Sequence, residues 1–221
     1  MLSLTAGSTD AIAFLGLSGL FTAHVTGNLV VLVAKFLAGD PARLAPLIAV
    51  PVFIAALLAT KLFARGLEAA GVASRAPLLL LQFLLLAGFL AIAVSNGRRP
   101  DPNAPIMILA GMLGVSAMAV QNAFVRISLV GAPSTAVMTT NVTMFALDLG
   151  DMLLARDRLG AAQARARAGR TGPAIVGFLL GCGVGAGCEA VYGLRALVVP
   201  VGLALLALAL GVTANQERRA N

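Results

Sequence analysis

Two heptapeptides in this chain could hydrogen-bond a polar solute at membrane depth. Thr22-Ala23-His24-Val25-Thr26-Gly27-Asn28 and Thr135-Ala136-Val137-Met138-Thr139-Thr140-Asn141 both read T-A-x-x-T-x-N, with matched positions 113 apart. Their hydroxyls and carboxamides donate and accept hydrogen bonds without carrying charge. Polar groups at matched places in two halves of an apolar chain point to a pathway near the bilayer middle. Thr22, Thr26, Asn28, Thr135, Thr139, Thr140 and Asn141 are therefore candidate lining residues. Threonines in apolar helices also serve as helix–helix hydrogen-bonding groups and nothing more, a reading that stands beside the first.

Five further polar residues, Asp10, His24, Gln121, Asn122 and Arg126, lie in or beside apolar runs. An ionised group placed mid-span costs about 2.5–3.5 kcal/mol on insertion scales, so these side chains should face protein or a water-filled cavity. Asp10 and the single histidine, His24, are candidates for proton coupling, because imidazole exchanges protons near neutral pH. A histidine bonded to a neighbouring helix is the plain alternative for His24. Asp10 and Arg126 come from equivalent segments and are expected to pair, either as an ion pair that fixes packing or as a coupling or substrate group. No Walker motif, HExxH, CxxC or nucleophile elbow is present, so no catalytic residue, cofactor or metal is assigned and the chain is not read as an enzyme.

These residues sit in a chain of 221 residues that is 59% hydrophobic and only 11% charged, with a mean hydropathy of +0.96. Soluble domains carry about 25% charged residues. The chain is therefore expected to be an all-α polytopic membrane protein and a single integral membrane domain over 1–221. No β-barrel alternation appears. Eight apolar segments are expected: Leu2–Leu20, Thr22–Ala38, Leu44–Ala64, Pro77–Ser95, Pro105–Val130, Thr135–Ala155, Pro173–Tyr192 and Leu194–Ala214. No Lys or Arg precedes the first and Asp10 lies inside it, so it is expected to remain as a membrane segment and not a leader.

The segments fall into two sets of four, giving pseudo-symmetric repeats at about 2–96 and 105–214. Asp10-Ala11 and Asn122-Ala123 align at an offset of 112. The helices should be interrupted at the two heptapeptides. Gly27 weakens the first and Asn28 can cap a restart, while Gly131 and Pro133 do the same before Thr135. Such backbone is tolerated at membrane depth only when it lines a cavity or is buried in protein.

A net charge of +7 would suggest nucleic acid on a soluble protein. Here no basic stretch is interleaved with aromatics, and the cations read as cytoplasmic loops facing anionic lipid. The run 156–171, with Arg156, Arg158, Arg165, Arg167 and Arg170, is expected to be a basic cytoplasmic loop. Two arrangements fit equally. Eight crossings with parallel repeats place eleven of sixteen basic residues in the cytoplasm, and six crossings in inverted halves, with the second and sixth segments re-entrant, place eleven as well. Both arrangements put both termini in the cytoplasm. Asp148 and Asp151 lie near the end of the sixth segment, close to the interface. Gly177, Gly181 and Gly185 share one helix face that permits close packing, within the chain or in a homodimer. Cys182 and Cys188, about 600° apart on a helix, read as small apolar residues.

Gly7-Ser8-Thr9-Asp10-Ala11 with Phe21-Thr22-Ala23-His24-Val25-Thr26-Gly27-Asn28 resembles the YoaK family, membrane proteins grouped as domain of unknown function 1275. Gln121-Asn122-Ala123, Arg126 and the second heptapeptide carry the same resemblance, which spans essentially the whole chain. Position 8 is Ser where the family commonly has a bulkier residue. The resemblance implies a bacterial inner-membrane protein suspected of transport. The expected function is a small secondary transporter or permease for a small solute, anionic if Arg126 and helix N-termini set the preference, with Asp10 and His24 as the candidates for proton coupling and no cofactor. A channel-like facilitator, a non-transporting assembly partner and an intramembrane enzyme are the rivals. Membrane lipid and a small-molecule solute are the expected partners, and nucleic acid is not.

Overall fold

The computed structural model describes residues 1–221 except 41–43, 98–99, 130, 136, 155–157 and 221, with backbone alone for 214–220. No strand occurs among the described residues, as expected of an apolar chain that must satisfy its backbone within each segment. The helices are α1 (Leu2–Gly16), α2 (Gly27–Leu37), α3 (Leu44–Ala69), α4 (Arg75–Ser95), α5 (Pro105–Ser128), α6 (Met138–Leu154), α7 (Arg158–Tyr192) and α8 (Val198–Ala220). A 3-10 turn, Gly193–Leu197, joins the last two. Among the described residues, four stretches are long and apolar enough to cross a membrane: α3, α4, α5 and the continuous run Arg158–Thr213, which holds α7 and most of α8. Together they make this a helical membrane protein.

Several boundaries differ from the sequence reading. The first segment stops at Gly16, short of Leu20, because Ser18 takes a left-handed conformation (φ 53°) and the Gly19 N–H closes back on the Phe14 carbonyl. Spanning 15 residues, α1 is about 22 Å long, and α2 with 11 is about 16 Å, too short to cross alone. The basic stretch expected as a loop is helical from Arg158, adding more than three turns ahead of Pro173. Ala and Arg are strong helix formers, and Ala164, Ala168 and Thr171 form a buried stripe along it, which is why the charge does not make a loop. The last segment begins with the 3-10 turn instead of with a regular helix. Arg43, Arg98, Arg99 and Arg156 lie outside the described residues.

Close contacts fix the helix directions. Leu4 meets Gly181, Ser8 meets Gly185 and Gly16 meets Leu194, so α1 and α7 run parallel. Gln82 bonds Gln121 while Phe89 meets Gly114, so α4 and α5 are antiparallel. The Leu2 carbonyl accepts from Gln121 while Leu17 and Leu20 reach Gly111, so α1 and α5 are antiparallel too. Clusters joining Ala49 with Met107 and Ala64 with Phe124 set α3 parallel to α5. Leu79 lies on Gly211, and α8 returns against α4. The six helices α1, α3, α4, α5, α7 and α8 thus alternate in direction, which fits the six-crossing arrangement and not the eight-crossing one. Packing is matched between halves as well: α1 on α7 corresponds to α5 on α3, α2 on α3 to α6 on α7, and α4 on α5 to α8 on α1. The glycine face is used inside the chain, against α1, and so offers no separate support for a homodimer.

Candidate functional site

Asp10 organises the first helix break. Its Oδ1 accepts from the Thr22 N–H (2.7 Å), the Ala23 N–H (2.6 Å) and the Thr22 hydroxyl (3.1 Å). Its Oδ2 accepts from the His24 N–H (3.2 Å) and lies 2.7 Å from His24 Nδ1. One buried carboxylate thereby satisfies three main-chain donors that a broken helix leaves without partners. The carboxyl group draws the chain after α1 back alongside the helix, and α2 then sets off in the original direction.

The expected pairing of Asp10 with Arg126 does not form. Among the described residues the carboxylate's ion-pair partner is His24. The antiparallel course of α5 carries Arg126 past Leu2, toward the opposite end of α1 from the break. His24 packs edge-on against Phe178, with ring centroids 5.1 Å apart, and near Phe21, which stacks on Phe14 at 4.6 Å. Asn28 does not cap α2, whose N-cap is Thr26. Its side chain is fully buried, accepting from the Phe21 N–H and donating to the Phe21 carbonyl.

The second break uses the same positions with weaker groups. Asn141 donates to the Ser134 carbonyl at 2.7 Å, the counterpart of Asn28 on Phe21 at an offset of 113. Thr135 approaches Asn122 at 3.5 Å, the counterpart of Thr22 on Asp10. Gln121 binds Thr135, the Leu2 carbonyl and Gln82, tying this break to α1 and α4. With a carboxamide in place of a carboxylate, no charge gathers the N–H groups here.

A recess of about 820 Å³ opens beside this second break, between α3, α5, α6 and α7. Asn122 and Arg126 line it from α5, and Thr140, Asn141 and Met144 from α6. Phe53, Leu57 and Lys61, one turn apart, line it from α3, and Arg167 and Arg170 from α7. The expected set is thus divided. Asn122, Arg126, Thr140 and Asn141 border this recess, whereas Thr22, Thr26, Asn28, Gln121, Thr135 and Thr139 lie outside its lining. Of the latter, Thr22, Asn28, Gln121 and Thr135 are buried in packing, and Thr26 and Thr139 are exposed. The two heptapeptides do not line this hollow together. Lys61, Arg167 and Arg170 were missed because their charge read as membrane-surface signal. The one-turn spacing of Phe53, Leu57 and Lys61 on one α3 face is the pattern that could have found Lys61.

Arg167 also bridges α7 to α6, donating from Nε to Asp148 (2.6 Å) and from Nη2 to Asp151 (2.7 Å). Arg167→Gln should lower the melting temperature of the detergent-solubilised chain, because the largely buried Asp148 loses its cation. Arg165→Gln, exposed on the same helix, is the control, and equal melting of both variants would deny the bridge a structural role.

No curated protein and no solved structure matches the chain. A family model described as "Protein of unknown function (DUF1275)" matches residues 1–210, nearly the whole length, and the chain belongs to that family.

Proposed function

We propose that this protein is a small secondary transporter or permease of the bacterial cytoplasmic membrane. The observation that carries the reading is the recess beside the second helix break, where Asn122, Thr140 and Asn141 border space at an interruption between helices. Interrupted helices beside a cavity are a recurring way for transporters to hold solute. The alternating helix directions support an internal duplication with inverted halves, the arrangement that lets one site face either side in turn. Lys61, Arg65, Arg75, Arg126, Arg158, Arg165, Arg167 and Arg170 gather at one end of the bundle, and Lys35 and Arg195 at the other. The positive-inside rule puts the richer end, with both termini, in the cytoplasm.

Flux into proteoliposomes tests this. A panel of labelled anionic, neutral and cationic metabolites should include at least one that enters faster than into protein-free liposomes. Thr140→Leu should slow that uptake about tenfold or more with little change in melting temperature, since Thr140 is exposed to the recess. Uptake by Thr140→Leu at the wild-type rate discards the recess as the route. A panel in which nothing moves faster than through bare lipid discards transport. Uptake indifferent to an imposed proton gradient selects a facilitator over a coupled carrier.

A further inference from the structure

We propose that the recess is a binding site for an amphipathic organic anion, with Lys61, Arg126 and Arg170 receiving its carboxylate or phosphate head. The proposal rests on the reading of the recess as a solute site, but its test is independent of transport. Among the described residues, four cations line the recess and no acidic residue does. Arg167 is already neutralised by Asp148 and Asp151. Among the described residues, no carboxylate pairs with Lys61, Arg126 or Arg170. These three come from three different helices, α3, α5 and α7, so their convergence is a product of the fold and not of one basic stretch.

The wall is of the opposite character. Phe53 and Leu57 precede Lys61 by two turns and one turn on α3, and Val137, just ahead of α6, and Met144 on α6 line the same space. Because α3 runs toward the basic end, Phe53 and Leu57 lie deeper in the bundle than Lys61. A ligand with a charged head and a short apolar body matches both regions. A volume of about 820 Å³ lies within the range of roughly 300–1,000 Å³ typical of small-molecule sites. Thr140 and Asn141 add uncharged hydrogen-bonding groups to the same lining. The same chemistry is found in a free organic acid and in an anionic lipid.

The chain has no tryptophan, so Met144→Trp supplies a single fluorescent reporter in the recess. Octanoate, octanamide, inorganic phosphate and short-chain phosphatidylglycerol are titrated separately into that purified full-length variant in neutral detergent. Octanoate is expected to bind at least about tenfold more tightly than octanamide, and inorganic phosphate more weakly than octanoate. Lys61→Gln, Arg126→Gln and Arg170→Gln should each weaken octanoate about threefold, and the triple variant about thirtyfold, as partly exposed charge pairs do. Arg165→Gln, outside the recess, should bind as the parent does. Phosphatidylglycerol that binds through the same three cations and resists displacement by octanoate identifies the anion as lipid. Equal binding of octanoate and octanamide, or undiminished octanoate binding by the triple variant, overturns the site. Selective octanoate binding in a protein that moves no solute leaves this site standing while transport falls.

Discussion

Asp10→Ala is expected to destabilise the folded chain by about 3–5 kcal/mol, more than any other single truncation among the polar residues. The carboxylate is buried and holds Thr22, Ala23 and His24 in the break between α1 and α2. Truncation leaves three main-chain N–H groups without their acceptor, those of Thr22 and Ala23 in buried residues, and it leaves His24 beside Phe178 without its carboxylate partner. Asp10→Asn keeps one acceptor oxygen and should lose about half as much, because it recreates the carboxamide that Asn122 provides in the second half. The measurement is reversible unfolding in mixed micelles, read by circular dichroism. If Asp10→Ala unfolds with the wild-type midpoint, the carboxylate does not hold the break. The same physics applies to Asn28. Asn28→Leu removes both bonds to Phe21 and should reduce stability before it touches any solute.

Gly181→Ala should cost about 2–3 kcal/mol, a large effect for one methyl group. A Cβ at Gly181 would fall onto the main-chain carbonyl of Leu4, and one at Gly185 would come within 2.7 Å of the Ser8 carbonyl oxygen. Main chain cannot rotate aside as a side chain can, so α1 and α7 must separate along their whole parallel contact. Gly183→Ala and Gly187→Ala supply the internal control. Nothing lies within 4 Å of an added Cβ at either position, and both should melt within a few degrees of wild type or slightly above it. The clash reaches beyond stability, because α7 carries Arg167 and Arg170 into the recess and α1 carries Asp10 into the break. Matching melting temperatures for Gly181→Ala and Gly183→Ala would show that α1 and α7 do not meet at this face.

The contrast between the two breaks gives the recess its place in the molecule. Around Asp10 five contacts bind the chain, and Phe14, Phe21, His24 and Phe178 fill the adjoining space. Around Asn122 the corresponding contact is a single 3.5 Å approach by Thr135, and space opens beside it. If the halves exchange roles during transport, this asymmetry is what must reverse.

Composition, apolar run lengths and the offset heptapeptides were enough to specify a helical membrane protein with breaks near residues 22 and 135. Lipid offers the main chain no hydrogen-bond partner, so long apolar runs have few folds open to them. The two asparagines at matched places and the small-residue face of α7 were legible for the same local reason. Partner choice was not. Asp10 and Arg126 carry opposite charges on equivalent segments of the two halves, yet the left-handed turn at Ser18 and Gly19 returns the chain so that His24 meets the carboxylate. Lys61, Arg126 and Arg170 are separated by up to 109 positions and read singly as interfacial charges. They share a recess because α3 and α5 run parallel and α7 carries its helix far beyond the apolar span. Direction and register between helices arise from side-chain fit across interfaces, and a linear pattern encodes which face packs but not what it packs against.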